Sequence, residues 1–562
     1  MTCTSPPCSC LNERGHVTIT VACDEHTRPC PSDWKPTEIT GTILALTHNL
    51  SSRVGSNAAS RQCSLIRDAL IRDGLYEAPL HREASDSLSV GPVTTKWRIA
   101  PSPFLLSSND LTLFRSLGNH LLAFYRALNR LYQHSVRGAQ PGWVAAYLDQ
   151  GKPESLITFS RMKRFRDLLP GVIRPDVIPT EDGMVITELD SVPGGIGLTG
   201  ALARAYSIWP ITDGGLEVSG SDSTSSSHRP SAISHQPYDI VGGAGGMVQG
   251  FAAMLRHQLG DRSGGVAIVV SDEANDYRPE MTWLAARLRE QGIEASCVHP
   301  REVRFTEESL VLTGEDGDRP IALVYRFFEL FDLKNVPKSE LIMYSAKKER
   351  TIVTSPFKPA LEEKLSFALL HHPILNPFWR RELGEETFAL LSRLMPHTWI
   401  LDPRPLPPSA IIPGLRVAGR VVGNWQDLMQ ASQRDRRYVV KPSGFSELAW
   451  GSRGVSVGHD LPQSEWAAAL ETALASFPTT PYILQEFQKG RQFELSFYDE
   501  RAADLIPMSG RVRLSPYYFV TGDHAELAGI LATVCTLDKK VIHGMRDAIM
   551  VPCAVARNNV EC

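Results

Sequence analysis

One short segment limits this chain more than any other: Val172-Ile-Arg-Pro-Asp-Val-Ile, then Glu181-Asp-Gly, then Met184-Val-Ile-Thr-Glu-Leu-Asp190. Two β-like runs flanking an Asp-Gly pair predict a hairpin. With a loop at 181–183 and its glycine in the left-handed region, Asp176 lies across from Glu188 and Arg174 across from Asp190. All four then share one face, and such a face cannot be hydrophobic core. It is either a solvated surface or a magnesium site, because Mg²⁺ takes hard carboxylate oxygens beside substrate phosphates. A loop shorter by one residue would place Asp176 and Glu188 on opposite faces.

The rest of the chain supplies the frame. Its 562 residues give room for about three or four domains. With 43% hydrophobic and 21% charged residues it has the material for large cores. Lys+Arg of 58 against Asp+Glu of 62, a net charge of -4, argues against a protein that lives on nucleic-acid phosphates. No apolar run approaches the roughly 18–20 residues of a membrane span, and no secretory signal is readable, so the expected address is the cytosol. Cys3, Cys8, Cys10, Cys23 and Cys30 crowd the N-terminus without a standard zinc spacing, and residues 1–36 read as an irregular Pro/Ser/Cys tail.

The expected class is α/β. From 37 to 150 the pattern is mostly helical, with Phe114, Leu117, Leu121, Phe124, Leu128 and Leu131 on one face and Ser107 with Asp110 as its cap. This region and the hairpin fill 37–216. Residues 217–237 are Ser-rich with little to bury and read as a disordered insertion. Strand-, helix- and strand-like runs at 264–270, 281–290 and 295–298 place a parallel α/β domain at 238–335. The remainder, 336–562, carries further strands at 437–441, 482–487 and 492–498 and a helical stretch at 359–371. The run Gly242-Gly-Ala-Gly-Gly246 misses a dinucleotide fingerprint and reads as a tight turn or helix start.

Two more segments invite chemistry. Tyr438-Val-Val-Lys441 ends a strand and is followed by the Gly- and Ser-rich loop 442–454. A lysine there supplies a point charge to a phosphate, and loop N–H groups can wrap the other oxygens. Its bland alternative is an exposed turn. Tyr482-Ile-Leu-Gln-Glu-Phe-Gln-Lys-Gly-Arg-Gln-Phe-Glu joins two strands by a polar hinge, whose backbone can read an adenine edge between apolar side chains. The alternative is an ordinary hairpin.

Together these segments resemble the ATP-grasp superfamily of ligases. Arg174-Pro-Asp176, Asp-Gly and Glu188-Leu-Asp190-Ser-Val-Pro-Gly194 resemble the metal hairpin of D-alanine–D-alanine ligases, R-x-D, D-G and E-x-N-T-x-P-G. The resemblance makes Asp176, Glu188 and Asp190 magnesium ligands, Asp190 adding a charge where the family has Asn. It makes Arg174 the arginine that steadies the reacting phosphate and tetrahedral centre. Lys364, in Glu-Lys364-Leu-Ser-Phe-Ala-Leu-Leu, and Lys441 match the two phosphate lysines. Ser446, Gly451, Ser452 and Gly454 lie in the matching flexible loop. Gln485, Glu486 and Phe487 match the adenine hinge, and Gln492 stands where an acid often holds the ribose. The hairpin precedes both lysines, an order similar to the circularly permuted branch that includes eukaryotic glutathione synthetase and glutathionylspermidine synthetase. In that branch an acid after the second lysine also binds metal, which points to Glu447. The resemblance covers about 160–200 and 340–525, with 238–335 in the place of a substrate-binding domain.

The resemblance implies ATP and one or two Mg²⁺. It implies an acylphosphate made from a small carboxylate, attacked by an amine, with ADP and phosphate released. The implied partners are those two small substrates, with no nucleic acid and no membrane, and a homodimer is compatible. Asp272, Glu273, Tyr277, Arg278, Arg326, Glu329 and Asp332 follow strands and are candidates for gripping substrate, or equally for a capped helix start and a solvated face. The rival readings are a small-molecule kinase, which stops at phosphoryl transfer, and a non-catalytic nucleotide-binding protein.

Overall fold

The computed structural model describes residues 58–77, 97–208, 237–314, 317–407, 410–449, 451–499, 502, 504–539, 541–542 and 547–557. In the N-terminal unit it also describes the strands Ser9–Leu11 and Val17–Ile19, which pair antiparallel with Cys10 against Thr18. The strand pair falls within the expected tail; the rest of 1–36 and the Ser-rich stretch through 236 lie outside the described residues.

The helix Ser108–Val136 forms as its sequence demands. Ser107 Oγ accepts from the Asp110 N–H at 3.1 Å, and the Asp110 carboxylate accepts from the Ser107 N–H, so both ends of a capping box are made. The whole apolar stripe is buried. It lies against a nine-stranded sheet so closely that a Cβ on Gly118 would come within 2.5 Å of the Tyr518 ring. Only glycine permits this approach, and Tyr518 Oη then donates to Phe114 O at 2.7 Å.

That sheet takes strands from distant parts of the chain. Its main order is Trp97–Arg98, Ala548–Ala556, His524–Thr536, Asp504–Thr521, Val172–Thr180 and Gly183–Asp190. The hairpin is thus an outer ribbon of a sheet completed some 300 residues later, Leu514 pairing with Val177 and Tyr518 with Ile173. A four-stranded antiparallel sheet, in the order Thr398–Ile400, Tyr482–Glu486, Tyr438–Pro442 and Ser456–Val457, carries Lys441 and the start of the hinge. The helix Gln463–Ala475 covers it through the fully buried Trp466.

The third sheet is the α/β region, with boundaries that differ from 238–335. Gly265–Val270, Ala295–Val298, Gly317–Phe327 and Ile352–Thr354 are parallel, and Val303–Phe305 and Leu310–Gly314 extend the edge antiparallel. Tyr238–Ile240 instead pairs with Ala548–Ala556, and the helix Gly246–Leu259 packs Phe251 on Phe519 of the large sheet, ring centroids 5.5 Å apart. Composition marks a strand or helix but not the sheet it joins. Gly242 and Gly243 form a turn at positive φ, and a Cβ on Gly242 would sit 1.9 Å from Ala528 O. The glycine run is therefore packing against a strand before a helix start.

Candidate functional site

The hairpin forms, but its loop is not the one expected. Thr180 pairs with Gly183, leaving a two-residue turn at 181–182 that on its own would split the acids. A bulge at Thr187 absorbs one residue, so Val177 faces Ile186 while Asp176 faces Glu188 and Arg174 faces Asp190. The acids share a face for a reason no local pattern reveals.

On that face Arg174 lies between two carboxylates. Its Nε is 3.4 Å from Asp176 Oδ1 and its Nη2 is 3.0 Å from Asp190 Oδ2. Burial alone would lower its pKa, but Asp176 and Asp190 outweigh burial and hold it protonated. Asp190 also accepts from the Val192 N–H at 2.8 Å, and burial raises its carboxyl against the pull of Arg174.

The two lysines arrive from different elements and meet the same hairpin. Lys364, just before the helix Leu365–His371, places Nζ 2.6 Å from Glu188 Oε1 and 3.3 Å from Ala449 O of the glycine loop. Lys441, in the strand Tyr438–Pro442, donates to Thr187 O at 2.9 Å. Burial opposes ionisation of Glu188, but Lys364 and Lys441 bring its pKa down to about 2. Lys441 has no carboxylate in hydrogen-bond reach among the described residues, and burial pushes it down to about 8.

A buried network fixes Lys364 to the loop. Its backbone N–H donates to Ser443 O at 2.9 Å, and the Leu365 N–H donates to Ser443 Oγ at 2.9 Å. Ser443 Oγ in turn donates to Glu363, which pairs with Lys152 at 2.6 Å, both side chains almost fully buried. A charge pair removed from water to this degree persists only when fully satisfied, which suits a part that holds geometry.

Arg174, Asp176, Glu188, Asp190, Lys364, Lys441, Gly451, Ser452, Gln485, Glu486 and Phe487 line one cavity of about 1240 Å³. Ser446, Glu447, Gly454 and Gln492 are not among its lining residues. Glu447 is exposed in a short turn whose neighbours Leu448 and Ala449 border the cavity instead. Gln492 is exposed on a strand that pairs with Asp504–Thr521, so 482–486 and 492–499 belong to different sheets and are not a hairpin. At the hinge, the Gln485 amide donates to Thr398 Oγ1, and the Glu486 and Phe487 N–H groups donate to His397 O and Arg437 O.

From the α/β region Glu273, Tyr277 and Glu329 line the cavity, whereas Asp272, Arg278, Arg326 and Asp332 do not. Arg278 donates to Val270 O, and the fully buried Arg326 serves Ser355 O, Phe328 O and Glu362. Arg453 of the glycine loop reaches Glu273 at 3.2 Å.

Sequence reasoning missed the floor. Arg511, Arg513, Ser515 and Tyr517 alternate along one strand, and all four line the cavity. Arg513 pairs with Asp176 at 3.2 Å, and Ser515 Oγ donates to Asp176 Oδ1 at 3.1 Å. The polar/apolar alternation of Arg511-Val-Arg-Leu-Ser-Pro-Tyr517 is the signal that could have found it. Among the described residues, buried Arg174 Nε, Arg511 Nε, Arg513 Nε, Ser271 Oγ and Thr533 Oγ1, all on lining residues, have no hydrogen-bond partner. Glu280 was missed as well. Its carboxylate accepts from the Gly195 and Leu198 N–H groups at 2.7 and 2.8 Å, at the start of the helix Ile196–Tyr206.

Among the described residues no three His, Cys, Asp or Glu side chains converge as a metal cage. Mg²⁺ does not ask for one, since it is commonly bound by one or two carboxylates plus substrate phosphates. Asp176 and Glu188, opposite each other on the cavity wall, suit that mode by donor chemistry. Glu447 does not.

No protein-family model matches this chain, and no curated protein matches its sequence. Among solved structures it is similar to the glutathione synthetase-like effector of Globodera pallida in its apo form. The TM-score is 0.50 at 12% identity, over 88% of this chain and 96% of that one. A protein assigned as a gamma-glutamylcysteine synthetase from Methylobacillus flagellatus KT aligns at TM-score 0.36 and 10% identity, over 80% and 89% of the two chains. The first likeness is one of fold alone.

Proposed function

We propose that this chain is an ATP-dependent ligase of the ATP-grasp kind that joins a carboxylate to an amine through an acylphosphate, releasing ADP and phosphate. One observation carries the reading: two lysines from separate elements and a three-carboxylate hairpin with its own arginine meet in one cavity, beside a polar hinge.

In this reading the nucleotide lies between the hinge and the lysines. Lys441, held down in pKa by burial, has its charged form favoured further beside a polyphosphate, and Lys364 exchanges its pairing with Glu188 for phosphate oxygens. Asp176 and Glu188, with Asp190 beside them, are the groups that would hold Mg²⁺, which when bound supplies positive charge to the phosphates. Arg174 stabilises charge that grows at the reacting carbon and phosphorus, and its fixed pairing means little reorganisation is needed. Arg511 and Arg513, with buried Nε donors lacking partners, orient the carboxylate substrate. The 446–454 loop, tied by Arg453 to Glu273, keeps water from the acylphosphate.

Turnover of ATP with panels of small carboxylates and amines, with nucleotide products separated, tests the reading. ADP and phosphate are expected, with an amide whose mass is that of the two substrates less one water. AMP and pyrophosphate would replace the acylphosphate route by adenylation, and a stable phosphorylated product indifferent to amines would make the chain a kinase.

A further inference from the structure

The α/β sheet divides at one point. Gly265–Val270 and Gly317–Phe327 lie side by side in parallel, Val270 against Phe327. The chain leaving the first crosses through the helix Arg278–Glu290 to Ala295–Val298 on one side. The chain leaving the second crosses through the helix Ser339–Lys347 to Ile352–Thr354 on the other. A crevice opens beyond the carboxyl ends of strands at such a switch, and α/β sheets hold ligands there.

The walls of this crevice are Ser271, Ala274 and Tyr277 from the first connection and Phe327, Phe328 and Glu329 from the second, all facing the cavity. Two polar groups have nothing to bind. Ser271 is 3% exposed, and among the described residues its Oγ has no hydrogen-bond partner. Among the described residues the Glu329 carboxylate makes no hydrogen bond and joins no ion pair, although burial, with Glu362 and Asp190 nearby, pushes its pKa up to about 8. The cations that bear on it are already used, Arg326 by Glu362 and Lys364 by Glu188. In the same walls the Tyr277 and Phe327 rings meet edge to face at 5.5 Å. Tyr277 also lies against Gly194, where a Cβ would come within 2.2 Å of the ring, so the crevice adjoins the loop that follows Asp190.

An anion entering this end would meet the carboxyls of Glu329 and Asp190, whereas a cation would satisfy Glu329, which lacks a partner among the described residues. Of the lining guanidinium groups, Arg511 and Arg513 belong to the strand Asp504–Thr521, and Arg453 is taken by Glu273. We propose that the switch-point crevice binds the acceptor substrate through a primary ammonium on an aliphatic carbon, held by Glu329 and Ser271 with its stem along Tyr277 and Phe327. The assignment rests on the ligase reading for the role of the bound amine, but binding itself can be tested without turnover.

The test is thermal melting of the full chain with n-butylammonium chloride, with sodium butyrate at matched ionic strength, and with Mg-ATP. The wild-type chain gains several degrees from n-butylammonium and none from butyrate. Glu329→Gln and Ser271→Ala need at least ten times more n-butylammonium for the same shift, while their response to Mg-ATP stays normal and certifies the fold. A Glu329→Gln variant that responds like wild type, a wild-type chain indifferent to n-butylammonium, or a shift from butyrate instead would each overturn the assignment. Loss of the Mg-ATP response in the wild type would overturn the ligase reading alone, the ammonium arm still deciding the crevice.

Discussion

Asp176 and Glu188 stand directly opposite on the hairpin, yet each is held by a cation from elsewhere in the chain, Asp176 by Arg513 and Glu188 by Lys364. The acids therefore do not simply repel one another. Lys364 and Arg513 offset the like charge of the two acids, and an incoming anion would compete with the acids for the same cations.

This pairing decides the outcome of Glu188→Gln. Judged from the acids alone, the change should leave folding unharmed or improve it by relieving repulsion. With Lys364 at 2.6 Å it removes the counter-charge of a buried lysine. The Glu188 side chain keeps 36% exposure, so water screens part of the loss, and about 1–2 kcal/mol of stability should go. Turnover should fall on the order of 10²-fold, since a positioned electrostatic contact is lost. Melts with and without Mg-ATP beside a turnover assay measure both; near-normal turnover in a folded variant would sink the metal assignment.

Lys441→Met should behave oppositely. Burial already pushes this lysine down to about 8, so an apolar side chain of similar length should keep or raise Tm. Nucleotide affinity should drop tenfold or more, as read by titration of a fluorescent ATP analogue. Unchanged affinity would remove Lys441 from the phosphate site.

Ser443→Ala probes how Lys364 is placed. The hydroxyl accepts from the Leu365 N–H and donates to Glu363, so its loss leaves two buried groups short of a partner and costs about 1–3 kcal/mol. If the network positions Lys364, the rate should fall more than ATP affinity, and Ser443→Thr should restore part of it. Equal loss in both variants with normal kinetics per folded molecule would mark the network as structural only.

Glu280 gives stability a pH dependence. Burial raises its carboxyl from 4.5 to about 7, against the lowering pull of the N–H groups of Gly195, Leu198 and Gly197. Between those values the folded chain holds more protons than the unfolded one, so this contribution is present below pH 4.5 and is lost as pH rises to 7. The slope contributed is at most about 1.4 kcal/mol per pH unit. Urea melts across this window should show it in the wild type and a flatter profile in Glu280→Gln. Parallel profiles would mean that Glu280 titrates as an ordinary carboxyl.

Much of this architecture is set by short stretches of sequence. The capped helix at 108–136 follows from its stripe and its Ser107–Asp110 box, and the hairpin from two β runs around Asp-Gly. The acids with Arg174, Lys441 and the polar hinge are legible because each lies in or beside a strand whose signature is local, whereas Lys364 is singled out only by the family resemblance. What local stereochemistry cannot specify is partnership. The Thr187 bulge repairs the register of a turn one residue shorter than expected, and no periodicity announces it. Ser515 bonds Asp176 across 339 residues, and Lys364 reaches Glu188 only because Ser443 and Glu363 clamp two elements together. The exclusion of Glu447 and Gln492 has the same origin. Facing direction is inherited from the sheet an element joins, and sheet membership is decided by packing summed over the whole core.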